Sequence, residues 1–422
     1  MNVSAISRLA RVVLGVMTLW PASMRADATP ATPVVWDLGK LLRPPATFPA
    51  PEAAPRVEGV EALCFEGLPF RGKPTRVFAY YGLPEGATPD KPVPGIVLVH
   101  GAGGTAFANW VKRWTARGYA AIAFDHDGGI PVGKYSAWER NPDGSGPKRS
   151  GFNDVVTREV PDHYMYHAVA DTILAHSLLR SMPGVDPDRV GMTGISLGGV
   201  VGSVVAGVDP RFKFFVPVYG CGFISENEHD GSRFIDAKKS WDEPEVAHRV
   251  TTWNRLWDPK RYLPSARLPI LWLNGTNDFA FTLSAWQRSY RAAPGTLALS
   301  LKVRMPHGHN EAGEGSAEIF AFADSVLRGG EALARIVAQG VDEGVAWADF
   351  VSPRPIRKAE LHFTRAGGRW QDRFWETVEA ELGDGRVRAT PPDDALVFYF
   401  NLTDDRGLIV SSQHVELPPK HP

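Results

Sequence analysis

Arg189-Val-Gly-Met-Thr-Gly-Ile-Ser-Leu-Gly-Gly199, followed by the small-residue run from Val200 to Gly207, is the stretch whose reading decides the fold. Arg189–Thr193 is short and apolar, as a buried strand is, and the Gly, Val, Ser and Ala that follow suit a helix packed closely on a sheet. Between them Gly194-Ile-Ser-Leu-Gly198 has the G-x-S-x-G pattern of a nucleophile elbow. A serine on a sharp strand-to-helix turn sits in a strained backbone, and glycine neighbours let the turn close and a substrate approach. The helix N-terminus also favours a developing negative charge. Ser196 is therefore the candidate nucleophile. The competing reading is a tight glycine turn in an ordinary α/β domain.

Outward from this turn, strands and helices alternate. Strands are expected at 59–65, 75–82, 94–100, 119–124, 189–193, 212–218, 269–273 and 297–303, and helices at 107–117 and 160–181. The pattern predicts a mostly parallel eight-stranded sheet flanked by helices. In such sheets the chemistry lies beyond the carboxyl ends of the strands.

Each strand end offers a candidate. His100-Gly-Ala-Gly-Gly104 follows the 94–100 strand, and its glycines expose backbone N–H groups of the kind that hold a tetrahedral oxyanion. Leu197 and Ala102 are the expected oxyanion donors, with Gly103 as second choice, and His100 is expected to be structural. Asp278, in the turn after 269–273, is the carboxylate expected to orient a histidine, with Asn277 and Asp258 as competitors. The loop Met305-Pro-His-Gly-His-Asn310 supplies two histidines in the chain order Ser, Asp, His. His309 is preferred as base because the preceding glycine lets its ring swing over the elbow; His307 is the alternative base, otherwise a packing residue. Asp125-His126-Asp127 only superficially resembles a metal cluster and reads as a polar turn. No metal and no cofactor is expected.

His100-Gly-Ala-Gly-Gly104, Gly194-Ile-Ser-Leu-Gly198, Asp278 and His309, with Tyr166–Asp171, Val218–Gly222, Gly275–Phe279 and Met305–His309, resemble the α/β-hydrolase superfamily over residues 58–328. More narrowly they are similar to secreted bacterial hydrolases of the acetyl xylan esterase, dienelactone hydrolase and prolyl-oligopeptidase-like group. The resemblance implies an α/β-hydrolase fold and a Ser196–His309–Asp278 esterase working by two-step acyl transfer on acetylated carbohydrate. A peptidase or a lactone hydrolase is the alternative within the class, although a dienelactone-type enzyme would carry cysteine at position 196. From another class, a non-catalytic carbohydrate-binding protein with a hydrolase fold is the alternative.

The remaining chain frames this domain. A net charge of −1 gives no electrostatic case for nucleic acid or an anionic membrane. The expected partner is a small-molecule or polysaccharide ester. Arg8 and Arg11 before the apolar run Val12–Trp20, with Ala26-Asp-Ala28 after it, read residues 1–28 as a signal peptide and the protein as secreted or periplasmic. No membrane association is expected after its removal. Residues 29–57 form a Pro/Ala-rich lead-in. Insertions at 126–159 and 222–266, rich in Trp, are expected to shape the pocket. Cys64 and Cys221 are expected to be buried free thiols. A connector at 329–344 with a short helical run leads to period-two segments between 345 and 422, read as a small all-β sandwich that packs on the hydrolase.

Overall fold

The computed structural model describes residues 35–150, 152–225 and 244–417. The expected signal peptide and Trp241 lie outside them. Among the described residues eleven strands precede residue 303: β1 Thr47–Pro49, β2 Glu61–Glu66, β3 Arg76–Gly82, β4 Val93–Val99, β5 Ala120–Phe124, β6 Gly129–Lys134, β7 Ala137–Arg140, β8 Val185–Ile195, β9 Phe215–Val218, β10 Ile270–Gly275 and β11 Leu297–Lys302. Nine of them form one sheet in the order β1-β2-β3-β5-β4-β8-β9-β10-β11. From β5 to β11 every pairing is parallel, and β1, β2 and β3 add antiparallel strands at one edge. The sheet therefore has nine strands, not eight. The ninth is β1, whose three residues in the Pro/Ala-rich lead-in pair with Leu63–Phe65; so short an edge strand leaves no periodicity to read.

The central parallel strands carry continuous apolar runs because helices cover both of their faces. Ile96 to Val99 on β4 and Ala120 to Phe124 on β5 are buried almost completely. The helix Tyr164–Ser181 is buried along nearly its whole length, including Ala168, Ile173 and Leu178. Leu197–Ala206 is wholly buried, so its small residues allow the close helix-to-sheet approach that the sequence implied. Among the described residues no helix is long and apolar enough to cross a membrane. Cys64 and Cys221 are free and buried; burial raises the Cys64 thiol to about 11.

Beyond the nine-stranded sheet lie two antiparallel sheets. Arg335–Asp342, Val345–Val351, Arg386–Ala389 and Glu381–Leu382 form one. Ile356–Thr364, Glu376–Glu379, Val397–Asp404, Ile409–Ser411 and Val415–Glu416 form the other. The expected helical run in the 329–344 connector is instead the strand Arg335–Asp342, because its residues find a partner in Val345–Val351 across a tight turn. Ala346, Ala348, Leu361, Phe363, Val387 and Phe400 fill a core of their own. Trp370, Trp375, Tyr399, Leu408 and Val410, by contrast, belong to the main core.

The second sheet also covers the open edge of β11. Leu301 N–H donates to Ser411 Oγ at 2.7 Å, and Asn401 Nδ2 donates to Leu301 O at 3.1 Å. An uncovered edge strand and a bared apolar face both invite aggregation. Truncation after Arg328 is therefore expected to abolish soluble folded protein, read by soluble yield and circular dichroism. A soluble, cooperatively unfolding fragment would show that these sheets are dispensable.

Candidate active site

The turn at Ser196 is strained in the way its glycines imply. Ser196 has φ +57° and ψ −117°, a conformation that side chains resist. It is held by Ser196 N–H donating to Val218 O at 2.8 Å. A Cβ on Gly194 would lie 2.3 Å from Gly198 O, and one on Gly198 would lie 2.0 Å from Val99 O. Glycine is thus obligatory at both positions. The helix Leu197–Ala206 starts at the serine, and no hydrogen bond engages Ser196 Oγ among the described residues.

Asp278 follows β10 and is 2% exposed. Its Oδ1 accepts from Ala280 N–H at 2.9 Å and Phe281 N–H at 2.8 Å, while Oδ2 faces His307 Nδ1 at 2.6 Å. The expected contact between Asp278 and His309 is therefore replaced by one to His307. Gly308 is the reason. On an extended strand, residues two apart share a face; Gly308 adopts φ +143°, which breaks that alternation and sends the two rings to different partners. His307 stacks on Tyr219 at 4.4 Å, and its Nε2 has no partner among the described residues. His309 is engaged at both nitrogens, Nδ1 with Glu314 Oε1 at 2.9 Å and Nε2 with Gly101 N–H at 2.9 Å. Of the competitors, Asp258 is spent on Phe223, Ile224 and Lys260 N–H groups. Asn277 Nδ2 donates to the carbonyls of Trp370, Gln371 and Arg373, tying the Asp278 loop to the C-terminal sheets.

The loop after β4 is gripped from several sides. Beneath it, His126 N–H donates to His100 Nε2 at 3.3 Å, so His100 carries its proton on Nδ1 and gives it to Gly101 O at 2.8 Å. His126 Nε2–H donates to His100 O at 2.9 Å and its Nδ1 accepts from Tyr164 Oη at 2.7 Å. The two rings stack at 3.7 Å. Asp125 Oδ1 accepts from the N–H groups of Asp127 and Gly129, so the Asp125–Asp127 segment is a polar turn. Above the loop, the hairpin β6–β7 of the 126–159 insertion donates Ser136 N–H and Trp138 Nε1–H to Gly103 O, both at 2.9 Å. Gly101 N–H is taken by His309, whereas the N–H groups of Ala102 and Leu197 have no partner among the described residues. Beside Leu197 an apolar cleft is lined by Phe152, Met165, Val200, Ile224 and Trp253.

Burial pushes His100 down to about 3 and His126 down to about 4, so both rings stay neutral at moderate pH. In the unfolded chain they bind protons near pH 6.5. Between that value and about 4 the unfolded state holds more protons, so stability falls as pH falls, then levels off below both folded values. Each tenfold difference in proton affinity between the folded and unfolded chain is worth about 1.4 kcal/mol. The stability from urea unfolding is therefore expected to be lower at pH 4 than at pH 7 by on the order of 3 kcal/mol or more from such groups. A pH-independent midpoint over this window would contradict the neutral pair.

Residues 54–249, just under half of the chain, match the acetyl xylan esterase family. An acetyl xylan esterase from Paenibacillus sp. R4 shares the architecture with a TM-score of 0.55 at 20% identity, covering 69% of this chain and 93% of that one. The chain has the α/β-hydrolase fold. Acetyl xylan esterase 1 from a Thermoanaerobacterium species aligns with a TM-score of 0.49 at 19% identity, over 64% of this chain and 86% of that one. A probable dipeptidyl peptidase 4 of Aspergillus flavus is 32% identical over 124 residues, 29% of this chain. This chain spans only 15% of that relative's length.

Several residues that shape this site escaped the sequence. Glu314 stands five positions after His309, and nothing in the motif marks it until Asn310 caps the one-turn helix Glu311–Glu314 and brings it back. Tyr219 lay in a matching stretch, but its stacking on His307 needs the positive φ of +66° that only the folded chain shows. Tyr164 lies in the helix expected at 160–181, and its bond to His126 joins segments 38 residues apart.

Proposed function

We propose that this hydrolase is a serine esterase that deacylates carbohydrate-type esters, acetyl esters foremost, through Ser196, His307 and Asp278. The observation that carries the reading is the His307 ring, with Nδ1 held by a buried, fully hydrogen-bonded Asp278 and Nε2 unengaged. His307 takes the Ser196 proton as Oγ attacks the ester carbonyl, and Asp278 stabilises the imidazolium. Leu197 and Ala102 N–H hold the oxyanion, each worth roughly 3 kcal/mol. The alcohol leaves with the proton from His307, and water, activated by the same ring, hydrolyses the acyl-enzyme.

The acetyl xylan esterase match supports an ester over an amide, since it covers the segment bearing Ser196. The local identity to a dipeptidyl peptidase favours peptide cleavage as the second reading. Turnover of p-nitrophenyl acetate, longer p-nitrophenyl esters, acetylated xylan and aminoacyl-nitroanilides separates them. Acetate release from xylan with silent nitroanilides is expected; the reverse would make the chain a peptidase. Residues 1–28 act in this reading as an export signal, expected to be absent when the N-terminus of the exported protein is sequenced.

A further inference from the structure

We infer that His309 and Glu314 form a second histidine–carboxylate pair that is not a base but a positioning device, fixing the Gly101 amide so that the next amide, Ala102, faces the oxyanion. The inference rests on the esterase reading of Ser196.

The geometry determines the protonation pattern. A backbone N–H can only donate, so His309 Nε2, 2.9 Å from Gly101 N, must be a lone-pair acceptor. The proton of the neutral ring therefore sits on Nδ1, where Glu314 Oε1 accepts it at 2.9 Å. A charged ring would turn an N–H toward another N–H and break the contact. His309 is packed between Phe107 at 4.5 Å and Trp110 at 5.3 Å, and its side chain is only 6% exposed. The carboxylate is delivered just as firmly. Glu314 ends a one-turn helix capped by Asn310, and Arg113 forks onto Glu311 of the same turn with bonds of 3.0 and 2.7 Å.

The target of this device is next to the chemistry. A Cβ placed on Gly101 would lie 3.2 Å from Ser196 Cβ and 3.6 Å from His309 Nε2. Gly101 is thus wedged between nucleophile and ring. With its N–H occupied it cannot serve the oxyanion, and the donor on this loop passes to Ala102. The other grips on the loop act on carbonyls: His126 on that of His100, His100 and the Gly104 N–H on that of Gly101, Tyr135 on that of Ala102, and Trp138 on that of Gly103. Among the described residues, only His309 accepts from the Gly101 N–H. Slackening it lets Ala102 N–H drift from a position that matters chiefly in the transition state.

The test combines a tautomer with kinetics. Long-range 1H–15N spectra of the histidine-labelled wild type are expected to show His309 as the Nδ1–H tautomer; the Nε2–H tautomer would overturn the inference. His309→Phe keeps the packing against Phe107 and Trp110 but removes both nitrogens. On p-nitrophenyl acetate it is expected to lose 10- to 100-fold in kcat with KM changed less than threefold. Glu314→Met is expected to show a similar loss, and Glu314→Gln, whose amide oxygen still accepts from Nδ1–H, to recover most of it. A folded His309→Phe enzyme with kcat within twofold of wild type, or a loss confined to KM, also overturns it. If the wild type turns over no ester, the esterase reading fails by itself, and the tautomer still decides whether His309 grips Gly101.

Discussion

Ser196→Ala is expected to lower kcat on p-nitrophenyl acetate by at least about 10⁴-fold while the protein keeps its far-ultraviolet spectrum and cooperative unfolding. The size follows from the covalent step: without Oγ no acyl-enzyme forms, and the oxyanion donors and binding alone leave a rate only about 10³- to 10⁴-fold above water. The backbone offers a second readout. Ser196 sits at φ +57°, where a Cβ costs about 1–3 kcal/mol. Ser196→Gly is therefore expected to be as inactive as Ser196→Ala but more stable than it by about 1 kcal/mol, after the entropy cost of glycine in the unfolded chain. A folded Ser196→Ala enzyme with near-normal turnover would remove Ser196 from the mechanism. Equal stability of the two variants would mean that the turn is not strained.

How much of this was legible in the sequence depends on the range of the forces involved. The elbow could be read because its requirements are local. Gly194 and Gly198 are needed by backbone atoms a few residues away or on the adjacent strand, and a buried parallel strand announces itself by a run such as Ile96 to Val99. The same holds for the strand ends that carry His100 and Asp278. What failed was set by pairing across distance. Thr47–Pro49 is a strand only because β2 offers an edge. The helix-favouring residues Glu331-Ala-Leu-Ala334 mislead, yet the β-branched run that follows pairs as the strand Arg335–Asp342 with Val345–Val351. The β6–β7 hairpin lies within an insertion that was expected to shape the pocket, but its grip on Gly103 O through Ser136 and Trp138 depends on side-chain and turn geometry.

The C-terminal sheets show the same limit from another side. Their period-two pattern separates them from the alternating strand-and-helix segments before them, so their strand content was visible. Their coupling to the site was not. Asn277 uses one side-chain amide to bind three carbonyls between Trp370 and Arg373, and the adjacent Asp278 holds His307. A segment more than ninety residues downstream thus helps to set the carboxylate loop. The sheets thus brace the Asp278 loop as well as covering β11.

The second large effect concerns the two histidines, where motif reading and geometry part. His307 and His309 have the same chemistry and lie on one loop, so only their partners distinguish them. Asp278 Oδ2 stands 2.6 Å from His307 Nδ1, and His307 Nε2 has no partner among the described residues. His309 has no nitrogen to spare. His307→Ala is therefore expected to lower kcat about 10³- to 10⁵-fold with little change in KM, because the ring acts only as charge develops in the transition state. Asp278→Asn, which cannot fix the same tautomer or stabilise the imidazolium, is expected to lose about 10⁴-fold. Combining Asp278→Asn with His307→Ala should add little to the larger single loss, since the two act as one unit. His309→Phe, by contrast, should multiply with either, because it acts through the Gly101 loop rather than through the proton relay. If His307→Ala lost less than His309→Phe, the base would pass to His309, and the Asp278–His307 bond would be a structural pair inside the β10–β11 loops.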